Sequence, residues 1–502
     1  MSDKREKLAK FNIYSSLLYQ LVMMVSGIIV PKLLISNFGS ELYGATTSIA
    51  QFLGYIALLE GGIGGIARAA LYKPLAENNI IKINAVLGEI KHFFKIVGYI
   101  FIAYVLLLAC GYQNISNIEA LDWTATFFLV IAISISTFAQ YFIGISYAVL
   151  VEAAQKSYVL NVIRIATTVL NVISIIFLIN LGCNIIIVKL VSGCVFALGP
   201  VLQLIYVKKN YIIEKTPRQK DALQNKWTGI GQHIAYFLHS HTDVVVLTIF
   251  ANLLWVAVYS VYNMVIAAIQ SIVSSFSTGM EALFGDMYAK KEYDLLRKTF
   301  GEYETLISCI AVFLFSTTIV LITPFIKLYT NGITDVDYIQ PLFGIVLSIA
   351  SVLYSMRTPY GSMVVAAGRF KETRWAPYGE AIINIVLSIL LLKRWGIIGV
   401  AVGTVCAVAF RFVFYAYYVS NNIINRSIKM WYKRLGLNTA MIVCIVVLGN
   451  IAVTKIQMTN YLYWALAGIL VSVISGIITF AGNYCFFRDE TKGALRRIIK
   501  KV

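Results

Sequence analysis

Apolar residues in this chain run for about 20 positions at a time, and charged residues collect in the gaps between the runs. About fourteen such stretches are present. They centre on Met23, Leu53, Ala103, Ile133, Thr168, Cys194, Phe237, Ala267, Phe313, Ser348, Ile385, Cys406, Cys444 and Val471. Each is long enough to cross the roughly 30 Å hydrocarbon core as a helix. The pattern therefore predicts an all-α polytopic membrane protein of about 14 transmembrane helices. A composition of 59% hydrophobic and 13% charged residues agrees, since soluble domains carry about twice as much charge.

The gaps are not equivalent. About 31 Lys and Arg residues fall in one alternate set of gaps and the two termini, against about four in the other set. The rich set includes Lys208, Lys209, Lys215, Arg218, Lys220 and Lys226 in one gap, Arg426, Lys429, Lys433 and Arg434 in another, and a basic C-terminal tail. The excess marks the cytoplasmic side, so both termini are expected there. It also accounts for the formal net charge of +18 as orientation and attraction to anionic headgroups, with no nucleic-acid partner implied. The first span runs on past twenty residues without a small-residue cleavage site, so it is expected to stay as an anchor. The seven cysteines are scattered singly, without the clustered spacing of a metal site or disulfide framework, and no metal or other cofactor is expected.

The outer gaps, around Gly111–Asp122 and Asn331–Tyr338, hold about a dozen residues or fewer, an ordinary connection length. They leave no room for an extracytoplasmic catalytic domain. No GxxxxGK[ST] phosphate loop occurs, so the chain has no such means of using nucleotide. Transport is the expected function, and an enzyme is not.

At an offset of 213 residues, Gly88-Glu89 falls on Gly301-Glu302, Ala76 on Ala289, Ala153-Ala154 on Ala366-Ala367, and Asn171 on Asn384. The expected organisation is two pseudo-symmetric six-helix bundles, residues 1–207 and 229–425. A cytoplasmic linker, residues 208–228, joins them, and residues 426–502 supply two additional helices and the basic tail. Parallel repeats of this kind are a known transporter plan, in which one bundle rocks against the other.

A transporter lines its path with groups that lipid does not tolerate. In the seventh span Gln232, Tyr236, His239 and Asp243 recur at i, i+4, i+7 and i+11, one helical stripe. His239 and Asp243 form a candidate proton-coupling pair, since imidazole changes charge near physiological pH. In the eighth span Tyr259, Asn263, Gln270 and Ser274 share a face. The second span carries Glu60, followed by Gly61 and Gly65 in a GxxxG frame that permits close helix contact. Buried bases come from both halves: Arg164, Lys189, Arg357 and Arg411. Either they face a cavity, where Arg suits phosphate, or Glu380, Glu281 and Asp243 neutralise them in place.

Three segments resemble a known group. FGSELYGATTSIAQFLGYIALLEGGIGGIARAAL (residues 38–71), TDVVVLTIFANLLWVAVYSVYN (242–263) and GRFKETRWAPYGEAIINIVLSILLLKRWGIIGVAVGT (368–404) are similar to bacterial polysaccharide flippases of the Wzx type, which serve O-antigen and capsule synthesis. That group lies within the multidrug/oligosaccharidyl-lipid/polysaccharide exporter superfamily. The resemblance implies a flippase in the bacterial inner membrane for an undecaprenyl-pyrophosphate-linked oligosaccharide, with membrane lipids as surroundings and a glycan polymerase as a candidate partner. It places an acid at Asp243 and Glu60. A multidrug or cation exporter and a lipid II flippase of the same superfamily are the nearest alternatives. A membrane glycan polymerase or glycosyltransferase is the alternative of another class.

Overall fold

The computed structural model describes residues 2–60, 63–214, 216–218, 241–277, 279–454 and 456–499. Among these, all regular structure is helical, and 13 helical segments are long and apolar enough to cross a membrane. A fourteenth apolar stretch is described only as the short helix α9 (His241–Phe250). The chain divides into two compact units, Met1–Ala257 and Val258–Val502.

Unit 1 holds α1 (Ser2–Phe38), α2 (Ser40–Gly54), α3 (Ile63–Ala76), α4 (Ile80–Ser116), α5 (Trp123–Ala139), α6 (Ile145–Ala153), α7 (Ser157–Asn180), α8 (Ile185–Asn210) and α9. A 3₁₀ turn, Tyr55–Glu60, follows α2, and a π turn, Gln140–Gly144, joins α5 to α6. Its core is drawn largely from α2 to α6 and includes Ile90, Phe94, Phe101, Tyr112 and Leu150, each at most 1% exposed. α10 (Leu253–Ser275) begins in unit 1 and continues into unit 2. Unit 2 continues with α11 (Met280–Ala289), α12 (Tyr293–Tyr329), α13 (Pro341–Ala366), α14 (Phe370–Thr373), α15 (Trp375–Trp395), α16 (Ile397–Asn422), α17 (Ile428–Val453), α18 (Tyr461–Phe486) and α19 (Arg488–Ile499).

Burial follows from what surrounds each helix. α12 is packed by α11, α13, α17, α18 and α19, and 67% of its apolar window is buried, against 11% for α1. The exposed apolar side chains of α18, such as Leu462, Ile469 and Ile477, are the surface that lipid covers.

Four helix starts are capped by asparagine or aspartate. Asn79, Asp122, Asn184 and Asn460 each accept a hydrogen bond from the backbone N–H three residues on, at 2.9–3.0 Å. A side-chain oxygen there satisfies a donor that the helix cannot.

The 213-residue repeat is visible in the backbone. α4 spans Ile80–Ser116 and α12 spans Tyr293–Tyr329, so both boundaries coincide after the shift. The starts of α2 and α10, the ends of α3 and α11, and the ends of α6 and α13 coincide as well. So do the caps. The Asn79 N–H bonds the Pro74 carbonyl where the Glu292 N–H bonds Met287, and Lys156 bonds Val151 where Arg369 bonds Val364. Each is a Schellman closure around a left-handed residue: Asn78 (φ 51°) and Lys291 (φ 60°) in one pair, Gln155 (φ 58°) and Gly368 (φ 65°) in the other.

One expectation is corrected. A Cβ at Gly65 would meet nothing within 4 Å, so that glycine makes no close helix contact among the described residues, and Gly61 lies outside them. The spacing that does serve close packing is Gly399 and Gly403 on α16. A Cβ at Gly399 would collide with the Leu391 backbone of α15, and one at Gly403 would lie 2.5 Å from the Ser388 hydroxyl. Small residues i, i+4 apart clear one face so that two backbones can approach.

Candidate functional site

The candidate site is sought among buried polar groups, which are costly in a spanning segment unless partnered. Each unit carries its own set.

In unit 2, Arg357 on α13 places Nη1 2.7 and 2.8 Å from the two oxygens of Glu380 on α15. Arg411 on α16 donates to the same carboxylate at 2.6 Å and to the Tyr415 hydroxyl at 3.1 Å. Register explains the aromatic partners. Arg411 and Tyr415 are i, i+4 and Tyr354 and Arg357 are i, i+3, so each guanidinium lies over a ring of its own helix, at 4.9 and 4.5 Å. The side chains are 8% (Arg357), 12% (Arg411) and 1% (Glu380) exposed. Two guanidiniums therefore share one buried carboxylate, and Arg411 Nε has no partner among the described residues. Of the acids proposed to neutralise these bases, Glu380 does so. Glu281 instead lies 3.4 Å from the Ser362 hydroxyl.

A second cluster in unit 2 escaped the sequence reading. Glu304 on α12 takes Arg426 at 2.7 Å and Arg434 at 3.4 Å, and it also bonds Tyr360. Arg434 donates to Thr305 at 2.7 Å. Counting charges by gap assigned both arginines to orientation, because a count does not say which way a side chain turns. Burial opposes the Arg426 charge, but Glu304 and Tyr360 outweigh it and hold its pKa above the ordinary value.

In unit 1 a polar seam joins α2 to α9. Ser48, Gln51 and Tyr55 fall at i, i+3 and i+7, a single stripe. The Ser48 and Thr248 hydroxyls are 2.7 Å apart, Gln51 bonds His241 Nδ1, and Tyr55 bonds Thr242 beside Asp243. On the same helix, Gly44 lets α2 approach the start of α10, since any Cβ there would strike the Leu253 backbone. The seam leads into the 3₁₀ turn, whose last residue, Glu60, accepts a hydrogen bond from Tyr141 in the π turn. Departures from α-helical winding in two neighbouring spans thus meet at one carboxylate, and such departures often mark functional positions. Arg68 pairs with Glu152 at 2.6 Å.

Of the residues expected from sequence, Asp243 and Glu60 both lie in or beside the unit 1 seam. Gln232, Tyr236 and His239 lie outside the described residues, so the His239–Asp243 pairing does too. His241 and Gln51 were missed, because a glutamine 190 residues away gives no periodic signal. Arg164 is half-buried over the Tyr19 ring at 5.8 Å. Lys189 on α8, and Asn263 and Gln270 on α10, are half-buried.

No family model and no curated protein sequence matches the chain. Solved structures do. The chain is similar to the lipid II flippase MurJ in an inward closed conformation, at 15% identity and a TM-score of 0.71, over 95% of this chain and 99% of that one. It is also similar to the MATE multidrug transporter DinF-BH, at 16% identity and a TM-score of 0.62, over 83% and 95%. An inward-facing MATE family transporter of the MOP superfamily matches at 13% identity and a TM-score of 0.60, over 80% and 98%. The chain therefore has the polytopic helical fold of these MurJ and MATE structures. At these identities the likeness is one of fold.

Proposed function

We propose that the chain is a flippase that carries an undecaprenyl-pyrophosphate-linked oligosaccharide from the cytoplasmic to the periplasmic leaflet of the bacterial inner membrane, with both termini cytoplasmic. The observation that carries this reading is the Arg357–Glu380–Arg411 cluster, where two guanidiniums meet one carboxylate within three spans. The surplus positive charge suits a diphosphate, and an arginine with a spare N–H can bind phosphate oxygens directly. The fold likeness supports the same branch. The 5% of the chain that the MurJ likeness leaves uncovered is shorter than the α17–α18 hairpin, so the likeness extends into these additional helices.

The physical task is to move a hydrophilic head across hydrocarbon while its polyprenyl tail stays in lipid. The cationic cluster replaces water around the pyrophosphate during alternating access, and Arg164 and Lys189 add positive charge in the other half. With a negative interior, each negative charge moved outward gains about 2.3 kcal/mol per 100 mV. Asp243 and Glu60 are the carboxylates proposed to carry any coupled proton, with His239 as the partner of Asp243.

The test is leaflet-resolved. Cells lacking the protein should accumulate lipid-linked oligosaccharide on the cytoplasmic leaflet. Wild-type protein should reverse this, and an Arg411→Ala variant that inserts normally should not. Unchanged lipid-linked glycan together with raised sensitivity to cationic drugs would overturn the flippase reading in favour of a drug exporter.

A further inference from the structure

Glu89 and Glu302 stand 213 residues apart, each preceded by a glycine, on the equivalent helices α4 and α12. In unit 2 this Gly–Glu notch is filled by α19, a helix rich in basic residues that follows the last span. A Cβ at Gly301 would meet Glu490 Cγ at 3.4 Å, and one at Gly493 would run into the Glu302 side chain. Arg497 closes the site, pairing with Glu302 and donating to the Thr299 hydroxyl at 2.9 Å.

In unit 1 the counterpart notch is met by the segment that follows α8. Arg218 Cγ lies 3.4 Å from where a Cβ at Gly88 would stand. The segment is held in place by a hydrogen bond from Asn84 Nδ2 to the Ile212 carbonyl at 2.9 Å and by Lys156 over the Tyr211 ring at 5.2 Å. The carboxylate is the part that differs. Glu89 Oε2 is buried with no hydrogen-bond partner among the described residues, while Arg218 is exposed.

We propose that Glu89 is the docking site for the Arg218 guanidinium, forming an intramolecular latch that is open in this structure and whose closed counterpart is Glu302–Arg497. A carboxylate oxygen withdrawn from water without a donor is an unfavourable state, and a guanidinium supplies paired N–H donors for it. The Arg218 stem already rests against Gly88, the residue before Glu89. Closure pins the segment after α8 to α4, and opening releases it.

Hydrogen exchange of the backbone amides of residues 211–218 tests this, in full-length protein in lipid nanodiscs. Glu89→Gln, which keeps the side-chain shape, and Arg218→Glu should each raise exchange there several-fold. The swapped pair, Glu89→Arg with Arg218→Glu, should return it to near the wild-type rate. Exchange unchanged in both single variants would overturn the latch, as would a swapped pair no better protected than the singles.

Discussion

Units 1 and 2 share several helix boundaries and two Schellman caps but treat equivalent polar side chains differently. Asn384 accepts from the Ser388 hydroxyl at 3.1 Å and reaches Thr404 at 3.5 Å, while its counterpart Asn171 has a buried Oδ1 with no partner among the described residues. Glu302 is paired, while Glu89 Oε2 has no partner among the described residues. Gly368 takes a left-handed position that Gln155 takes in the other half. Backbone geometry survives the divergence of two halves because any sequence can supply N–H and C=O groups. Side-chain pairing needs two particular residues at once, and either substitution breaks it. Unit 2 holds Glu302, Glu304 and Glu380 in ion pairs with arginines, whereas the unit 1 seam sets Gln51, Tyr55 and Glu60 in hydrogen bonds with uncharged or histidine partners.

The sharpest break of this comparison is Glu380→Gln. It strands two buried guanidiniums, and removing one member of a buried pair typically costs about 3–5 kcal/mol. Thermal unfolding of the purified protein should fall well below wild type; an unchanged transition would show that Arg357 and Arg411 do not need this carboxylate. Next comes Gly403→Val, which drives a side chain into Ser388 and should cost about 1–3 kcal/mol by overpacking. Gly65→Val, by contrast, should be close to neutral in the same assay. Arg497→Ala comes next, because the Arg497 side chain is 38% exposed but that of Glu302 only 6%, so the stranded carboxylate should cost about 1–3 kcal/mol. Asn384→Ala removes two hydrogen bonds and should cost about 1–2 kcal/mol. Asn171→Ala loses nothing made by Oδ1 and should be nearly silent, so equal losses in the two variants would erase the contrast between units.

Smaller still is the cap exchange. Gln155→Gly should stabilise by up to about 1 kcal/mol, because glycine avoids the left-handed penalty, and Gly368→Gln should cost a similar amount.

Much of the fold was legible along the chain. The spans follow from hydropathy summed over about 19 residues, and the repeat was visible at one offset before its helix ends were known. Arg357, Arg411 and Glu380 were all recognisable as buried charges, and Glu60 and Asp243 as buried acids. Their partners were less so. That Glu380 would serve both arginines, or that Arg426 and Arg434 would turn inward to Glu304, depends on three or four helices meeting at one level.

The sequence by itself determined the spanning helices, their asparagine and aspartate caps and the repeat, because each rests on neighbours along the chain and on a solvent that rejects bare backbone. Only the tertiary structure decided which acid holds which base, and which glycines clear a path between helices. It also decided that Gln51 and Tyr55 meet His241 and Thr242. Those choices are made by packing between residues up to about 200 positions apart, where local periodicity carries no information.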